Sequence, residues 1–223
     1  MSRVVIDIET LAFPIENFDE VQREYLLRFA ESEEDRKETL QKLSLYPTTA
    51  QIIAVGLFNP DTNKGKVIFQ ADQKLDYFSP DESVHFLSAT EPEMLAEFWN
   101  DITHYSQFIT FNGRGFDCPF LMLRSAIVEV RPTRNLLPHR FDASIHCDLL
   151  DQFTFYGAVR KFNLDFYCKT FGIESPKSHG VTGLDLARLY QEKRFKEIAE
   201  YCLGDLKATA DLFRKWEKYL SAP

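Results

Sequence analysis

Apolar and polar residues along this chain keep two rhythms, one of strands and one of helices. Val4 to Ile8 is a short run dense in apolar residues, and Ala50 to Phe58 ("AQIIAVGLF") is a second; both read as buried strands. Turn residues in "NPDTNKG" separate the second run from "KVIFQ", which predicts a hairpin. Ser83 to Ala89 adds a short strand, and "SQFITFNG" adds another. Helical spacing takes over from Glu91 to Tyr105, where Pro92 suits the first turn, and again from near Cys118. Further on, Asn163 is placed to cap a helix ending at Gly172. A short helix is expected over Leu184 to Tyr190, and a long amphipathic one from Phe195 to about Leu220. This order predicts an α/β fold with a mixed sheet flanked by helices. No internal repeat or low-complexity tail interrupts it.

Residues Pro14 to Leu45, between the first two strands, fit a compact sheet poorly and are expected to be a helical insertion. Phe18, Val21, Tyr25 and Phe29 form a helical stripe, while "ESEEDRKE" is a solvated charge run. The stripe has two readings. Either the insertion packs on the domain edge, or it serves as a lid or partner surface beside the strand that carries Asp7 and Glu9.

Composition narrows the class. With 223 residues, 44% hydrophobic and 14% aromatic, the chain can bury one sizeable core, so a single domain over 1–223 is expected. A formal net charge of -8 gives no global basic footprint. Affinity for nucleic acid would have to come from a local patch or from bound cations. Cys118, Cys147, Cys168 and Cys202 are far apart without paired metal-ligand spacing, which suggests packed, reduced thiols and no zinc site. With no charged-then-apolar leader and no membrane-length apolar run, a soluble, cytoplasmic protein is expected.

Two carboxylates interrupt the first strand. Side chains alternate along a strand, so Asp7 and Glu9 share a face with Cα atoms about 6.5–7 Å apart, while Ile6 and Ile8 face the other way. Like charges on a half-buried strand are tolerated where the site is wet, protonated or filled by a cation, and oxygen donors of this hardness suit Mg²⁺ or Mn²⁺. Asp-x-Glu alone is a common tripeptide. In "FITFNGRGFDCPFLMLRS" a strand runs into a glycine-containing turn, and Asp117 falls at the start of a helix with Pro119 in its first turn. Asp117 there also reads as an N-cap, and Asn112 as a turn residue; "GRG" lacks the third glycine of a dinucleotide fingerprint. In "EIAEYCLGDLKATADLF" Tyr201 and Asp205 are four apart and share one helical face, with Gly204 beside them.

Taken in order, Asp7-x-Glu9, Asn112-x-x-x-Phe116-Asp117 and Tyr201-x-x-x-Asp205 resemble the three motifs of the DEDDy 3′-to-5′ exonucleases, within the ribonuclease H-like superfamily. The chain is most similar to predicted stand-alone exonucleases related to the proofreading domain of family B DNA polymerases. The resemblance runs from Val4 to about Phe213 and covers the insertion least. Where the sister branch of the family would place a His, five residues before its last Asp, this chain has Glu200.

The resemblance implies a ribonuclease H-like fold and a two-metal phosphodiester hydrolase. Asp7, Glu9, Asp117 and Asp205 would hold two divalent ions, Mg²⁺ or Mn²⁺, about 3.5–4 Å apart. Asp7 would bridge both ions, Glu9 and Asp205 would serve the ion carrying the attacking water, and Asp117 the second. Tyr201 would orient the water rather than remove its proton, because a phenol with an ordinary pKa near 10 is a poor base at pH 7. Thr10, Leu11, Asn112 and Phe116 resemble positions that contact the terminal nucleotide. The implied partner is single-stranded nucleic acid, DNA favoured over RNA. Arg114, the run "RPTRNLLPHR", Lys177 and His179 offer local positive charge. Asp148 reads as a turn or helix-start residue rather than a fifth ligand, and His146 as a structural histidine. An exoribonuclease and a non-catalytic scaffold of the same fold are the alternatives.

Overall fold

Alternation along the first strand, β1 (Arg3–Ala12), divides the core in two: Val4, Ile6 and Ile8 are buried in one apolar cluster and Val5 in another. The computed structural model describes residues 2–174 and 182–221. Over these residues β1 is a central strand of a seven-stranded mixed sheet. Its other strands are β2 (Ala50–Asn59), β3 (Lys64–Phe69), β4 (Asp76–Phe78), β5 (Val84–Ser88), β6 (Gln107–Thr110) and β7 (His146–Asp148). Their spatial order is β4-β5-β3-β2-β1-β6-β7. β1 pairs antiparallel with β2 and parallel with β6, and β6 is parallel to β7. The β1–β2 register slips between Glu9 and Thr10, which leaves Ile53 as the extra residue of a bulge directly after the second carboxylate.

The expected helical insertion is present as α1 (Glu20–Leu27) and α2 (Glu33–Lys42), each opened by a capping box, from Asp19 and Ser32. α3 (Glu91–Asp101) and α4 (Asp117–Ile127) cover the sheet face of Val4, Ile6 and Ile8 through Met94, Phe98, Trp99, Phe120 and Leu121. On the opposite face lie α5 (Leu149–Phe153), α6 (Leu164–Thr170), α7 (Leu186–Gln191) and the long α8 (Phe195–Tyr219). α8 approaches β2 closely at Gly56. A Cβ there would lie 2.3 Å from Leu206 Cδ1 and 3.0 Å from Cys202 Sγ, so only glycine lets this helix sit down on the sheet. On the other face the buried Arg124 binds Glu91 with Nη2–Oε2 2.6 Å and Nε–Oε1 2.9 Å, and Glu91 also accepts the Ile52 N–H. One ion pair thereby joins α3 and α4 to β2.

The fold is the expected ribonuclease H-like mixed sheet, with differences at the edges of elements. The helix expected over Glu91 to Tyr105 is α-helical only to Asp101 and tightens into a 3-10 turn over Ile102–His104. Likewise a 3-10 turn over Gly183–Asp185 precedes α7. Strands β4 and β7 were not expected, because three residues are too few to establish a period. Asn163 caps α6 through Phe166 N–H, and Gly172 takes a left-handed φ of 67° just past its end. The stripe of the insertion does not pack on the domain edge: Val21, Tyr25 and Phe29 are exposed, and α1 buries no residue. Arg28 lies over the rings of Tyr25 and Phe29, and the insertion is anchored through Leu43 instead. All four cysteines are free and buried, and no helix among the described residues is long and apolar enough to cross a membrane.

Candidate active site

The middle of β1 presents Asp7 and Glu9 toward α8, on the face of Val5. Asp7 is half-buried and Glu9 buried, yet Asp7 Oδ2 and Glu9 Oε1 are enclosed without a hydrogen-bond partner. Buried polar atoms are rarely left so. Asp117 approaches from a different element. The turn between β6 and α4 is tight: a Cβ on Gly113 would meet Thr110 Cβ at 2.4 Å, and Asn112 holds a left-handed φ of 63°. From this turn the buried Asp117 accepts the Ile8 N–H at 3.1 Å, which fixes the start of α4 to the strand between the two first carboxylates. Phe116, not Asp117, occupies the cap position of α4. Tyr201 and Asp205 reach the same place from α8, close enough that the Asp205 charge raises the Tyr201 hydroxyl.

The electrostatics follow from this crowding. Burial, then the charges of Asp205, Glu9 and Asp117, pushes the Asp7 carboxyl well above the usual carboxylate range. Glu9 is raised for the same reasons, with burial first and then Asp205 and Asp117. Burial takes Asp117 up to about 7, against the pull of backbone N–H donors, with Asp148 and Asp205 adding to the rise. Tyr201 is raised by burial and by Asp205, Glu9 and Asp7, so its hydroxyl keeps its proton through the neutral range. Cys202 Sγ and one oxygen each of Asp7 and Glu9 lie within 4.8 Å of one another, a group that could hold a metal ion. Burial pushes the Cys202 thiol up, and it donates toward the Asp7 carbonyl at 4.0 Å. Neutral sulfur is a poor ligand here, which leaves hard carboxylate oxygens as the donor set and favours a hard divalent cation.

Asp7, Glu9, Asp117, Tyr201 and Asp205 are thus brought together, and the four expected substrate positions surround them. The Thr10 hydroxyl donates to the Ser44 carbonyl at 2.8 Å, which ties β1 to the end of the insertion. Thr10 and Leu11 line a cleft of about 830 Å³ whose far walls are α2 and α7. Asn112 is exposed in the turn, and Phe116 is half-buried against Phe120 with ring centroids 5.4 Å apart. The basic residues expected to supply free positive charge are mostly engaged. Arg114 donates to the Pro138 and His139 carbonyls, Arg134 to the Thr103 carbonyl, and Arg140 is bidentate to Asp151. Lys177 and His179 lie outside the described residues.

Sequence reasoning gave Asp148 too small a role. It does start a helix, accepting the Leu150 N–H at 3.0 Å, but its buried carboxylate also accepts the Asn112 N–H at 2.9 Å and the Arg114 N–H at 2.8 Å. It therefore clamps the turn that aims Asp117. Its place opposite a glycine-rich turn 36 residues away is tertiary information; the only local signal was a carboxylate at a strand end, "HCD". His146 is structural as expected, buried between the Thr110 hydroxyl and the Leu136 carbonyl, and burial takes it down to about 4.

Comparison with known proteins finds a family, a relative in sequence and a solved structure of similar fold. The family described as "Predicted 3'-5' exonuclease related to the exonuclease domain of PolB" matches residues 70–221. That span holds Asn112, Phe116, Asp117, Tyr201 and Asp205; Asp7 and Glu9 precede it and join the site through the fold. DNA polymerase 1 of Sulfolobus acidocaldarius is 25% identical over 169 residues, 72% of this chain and 19% of the polymerase. The chain thus spans about a fifth of that relative. The family B DNA polymerase of the hyperthermophilic archaeon Pyrobaculum calidifontis matches in structure with a TM-score of 0.61 at 15% identity, over 96% of this chain and 24% of the polymerase.

Proposed function

The chain belongs to the family of predicted 3′-5′ exonucleases related to the exonuclease domain of PolB, and from that premise we propose that it is a metal-dependent 3′-5′ exonuclease acting on single-stranded or frayed DNA ends. The observation that carries this reading is the pair of enclosed, unpartnered oxygens, Asp7 Oδ2 and Glu9 Oε1, with Asp117 and Asp205 close enough to raise both groups. Carboxylates crowded in this way form a site for positive charge. Asp7, Glu9, Asp117 and Asp205 would hold two Mg²⁺ or Mn²⁺ ions as a DEDDy set, in one exonuclease domain. When bound, such ions make hydroxide available near neutral pH and stabilise the negative charge that develops at the phosphate.

This chain's own residues do the rest of the work. Tyr201 keeps its proton and lies beside Asp205, so it acts as a donor that orients the attacking water toward the phosphorus. Asp117 is fixed to the β1 backbone and does not have to move to complete the site. Asn112 and Phe116 in the turn, and Thr10 and Leu11 at the mouth of the cleft, position the 3′ nucleotide, Leu11 by apolar contact. The product is a nucleoside 5′-monophosphate.

The test is digestion of a 5′-labelled single-stranded DNA, with RNA of matched sequence alongside, in Mn²⁺, Mg²⁺ and chelator, for wild type and Asp7→Ala. A metal-dependent ladder shortening from the 3′ end, faster on DNA and lost in the variant, is expected. Intact DNA in every lane, or digestion that Asp7→Ala leaves unchanged, refutes the reading. Preferential digestion of RNA replaces DNA with RNA as the substrate.

A further inference from the structure

On the sheet face that carries the carboxylates, α6 and the turn before it expose an unusual surface. Phe155 is 61% exposed and Phe166 is 49% exposed. Phe155 and Tyr156 both hold left-handed backbone, with φ of 48° and 58°. Bulky residues adopt that region only at a cost of about 1–3 kcal/mol each. The turn is nonetheless closed firmly: Tyr156 N–H donates to the Asp151 carbonyl at 2.7 Å, and the Tyr156 hydroxyl accepts from Gln152 Nε2 at 2.9 Å. Backbone strain and an exposed ring at one position do nothing for the stability of the fold.

Phe166 is half of a stacked pair with Phe162, centroids 4.2 Å apart and planes within 11°, and the Arg160 guanidinium lies over Phe162 at 5.1 Å. Arg160 and its neighbour Lys161 are exposed and have no carboxylate partner among the described residues. They place two positive charges beside the rings in a chain of net charge -8. The rings continue inward, from Phe162 to Tyr167 at 6.2 Å and from Tyr167 to Phe111 at 5.7 Å, and Phe111 adjoins Asn112 in the turn that leads to Asp117. α6 itself packs on α8, close enough that the charge of Asp205 raises Cys168.

We propose that Phe155 and Phe166, with Arg160 and Lys161, form a stacking platform for single-stranded nucleic acid, which holds the nucleotides preceding the one at the active site. Exposed ring faces accept bases of any sequence, and unpaired cations beside them meet the phosphates. The platform supplies locally the positive charge that the chain lacks as a whole. Left-handed backbone at 155 keeps the ring turned outward, and the stacked Phe162 and Arg160 hold Phe166 and the cationic edge in place. This inference rests on the exonuclease reading for its substrate class.

The test measures anisotropy of a labelled dT 12-mer, and of a 12-mer of the same length with abasic sugars, bound to the full chain in chelator. Hydrolysis of thymidine 5′-(p-nitrophenyl phosphate) in Mn²⁺ reports on the catalytic centre alone. Phe155→Ala and Phe166→Ala are each expected to weaken dT binding about five- to hundredfold. Abasic binding and ester hydrolysis stay unchanged, and Phe155→Trp keeps wild-type affinity. Arg160→Ala is expected to weaken both oligomers. Binding of dT within twofold of wild type in both alanine variants overturns the platform. So does a wild-type dimer that these variants dissociate without change in DNA affinity, since the surface would then be covered by a second copy. A wild type that binds dT through these rings but leaves the ester intact supports the platform while counting against the exonuclease reading.

Discussion

Replacing Asp117 by Asn is expected to stabilise the metal-free protein at alkaline pH while abolishing its activity. Asn is the informative choice because it keeps an Oδ1 to accept the Ile8 N–H and changes little but charge. The Asp117 carboxyl rises from an ordinary 3.8 to about 7, mainly through burial. At 1.36 kcal/mol per pH unit, ionising it in the fold costs at most about 4 kcal/mol. A raised folded-state value means that the folded form binds the extra proton. Its contribution is therefore fully present below about pH 4 and is lost as pH rises through about 7. If relaxation and water entry halve that ceiling, about 2 kcal/mol remains at pH 8, which is a rise in Tm of about 4–8 °C for a chain of this size. His146 contributes a slope of opposite sign. Its folded value is lowered to about 4 from 6.5, so its stabilisation holds above 6.5 and is lost as pH falls through about 4. Because that group is present in both proteins, it cancels in their difference. Calorimetry of wild type and Asp117→Asn in chelator at pH 4 and pH 8 is the assay, with the gap expected to open only at pH 8. Equal gaps at both values, or a variant less stable than wild type at pH 8, would refute the argument. Saturating Mn²⁺ should then stabilise the wild type more than the variant.

Three further perturbations separate the roles assigned above. Tyr201→Phe should lower kcat about a hundredfold while calorimetric Mn²⁺ binding changes less than twofold, because the ring and the carboxylates remain; loss of the ion would refute its positioning role. Gly56→Ala places a methyl group 2.3 Å from Leu206 Cδ1 and should cost about 1–3 kcal/mol in urea denaturation, with reduced turnover as α8 shifts Asp205; unchanged midpoint and rate would show that α8 has room to spare. Glu91→Ala leaves Arg124 buried without its partner and should cost about 3–5 kcal/mol by the same measurement, a loss under 1 kcal/mol being inconsistent with the buried pair.

What the sequence disclosed, and what it withheld, follows from the range of the interactions. Asp7 and Glu9 were legible because alternation along a strand is local, and Tyr201 and Asp205 because four residues make one helical turn. The stripe on α1 kept two readings because periodicity reports that a helix has an apolar face, not whether anything covers it. The clamp by Asp148 and the close approach at Gly56 could not be read, since each depends on a partner brought near by the sheet: the turn at Asn112 in one case, Leu206 in the other. Strand β7 escaped for the same reason. Its three residues become a strand only because β6 is there to pair with them.

Backbone N–H groups, which are neutral donors, hold Asp117 and Asp148, and that bears on the chemistry of the site. Asp117 is fixed by the Ile8 N–H, and Asp148 by three N–H groups, from Asn112, Arg114 and Leu150. Backbone donors orient a carboxylate while adding no net charge. The guanidinium groups are committed elsewhere: Arg124 to Glu91, Arg140 to Asp151, and Arg114 to two carbonyls. Among the described residues, the charges that raise Asp7 and Glu9 are those of neighbouring carboxylates. A lysine or arginine placed among them would relieve the repulsion, stabilise the metal-free chain and compete with any ion for the same oxygens. By fixing Asp117 with a neutral donor, the fold leaves its charge available for cations that arrive from solution.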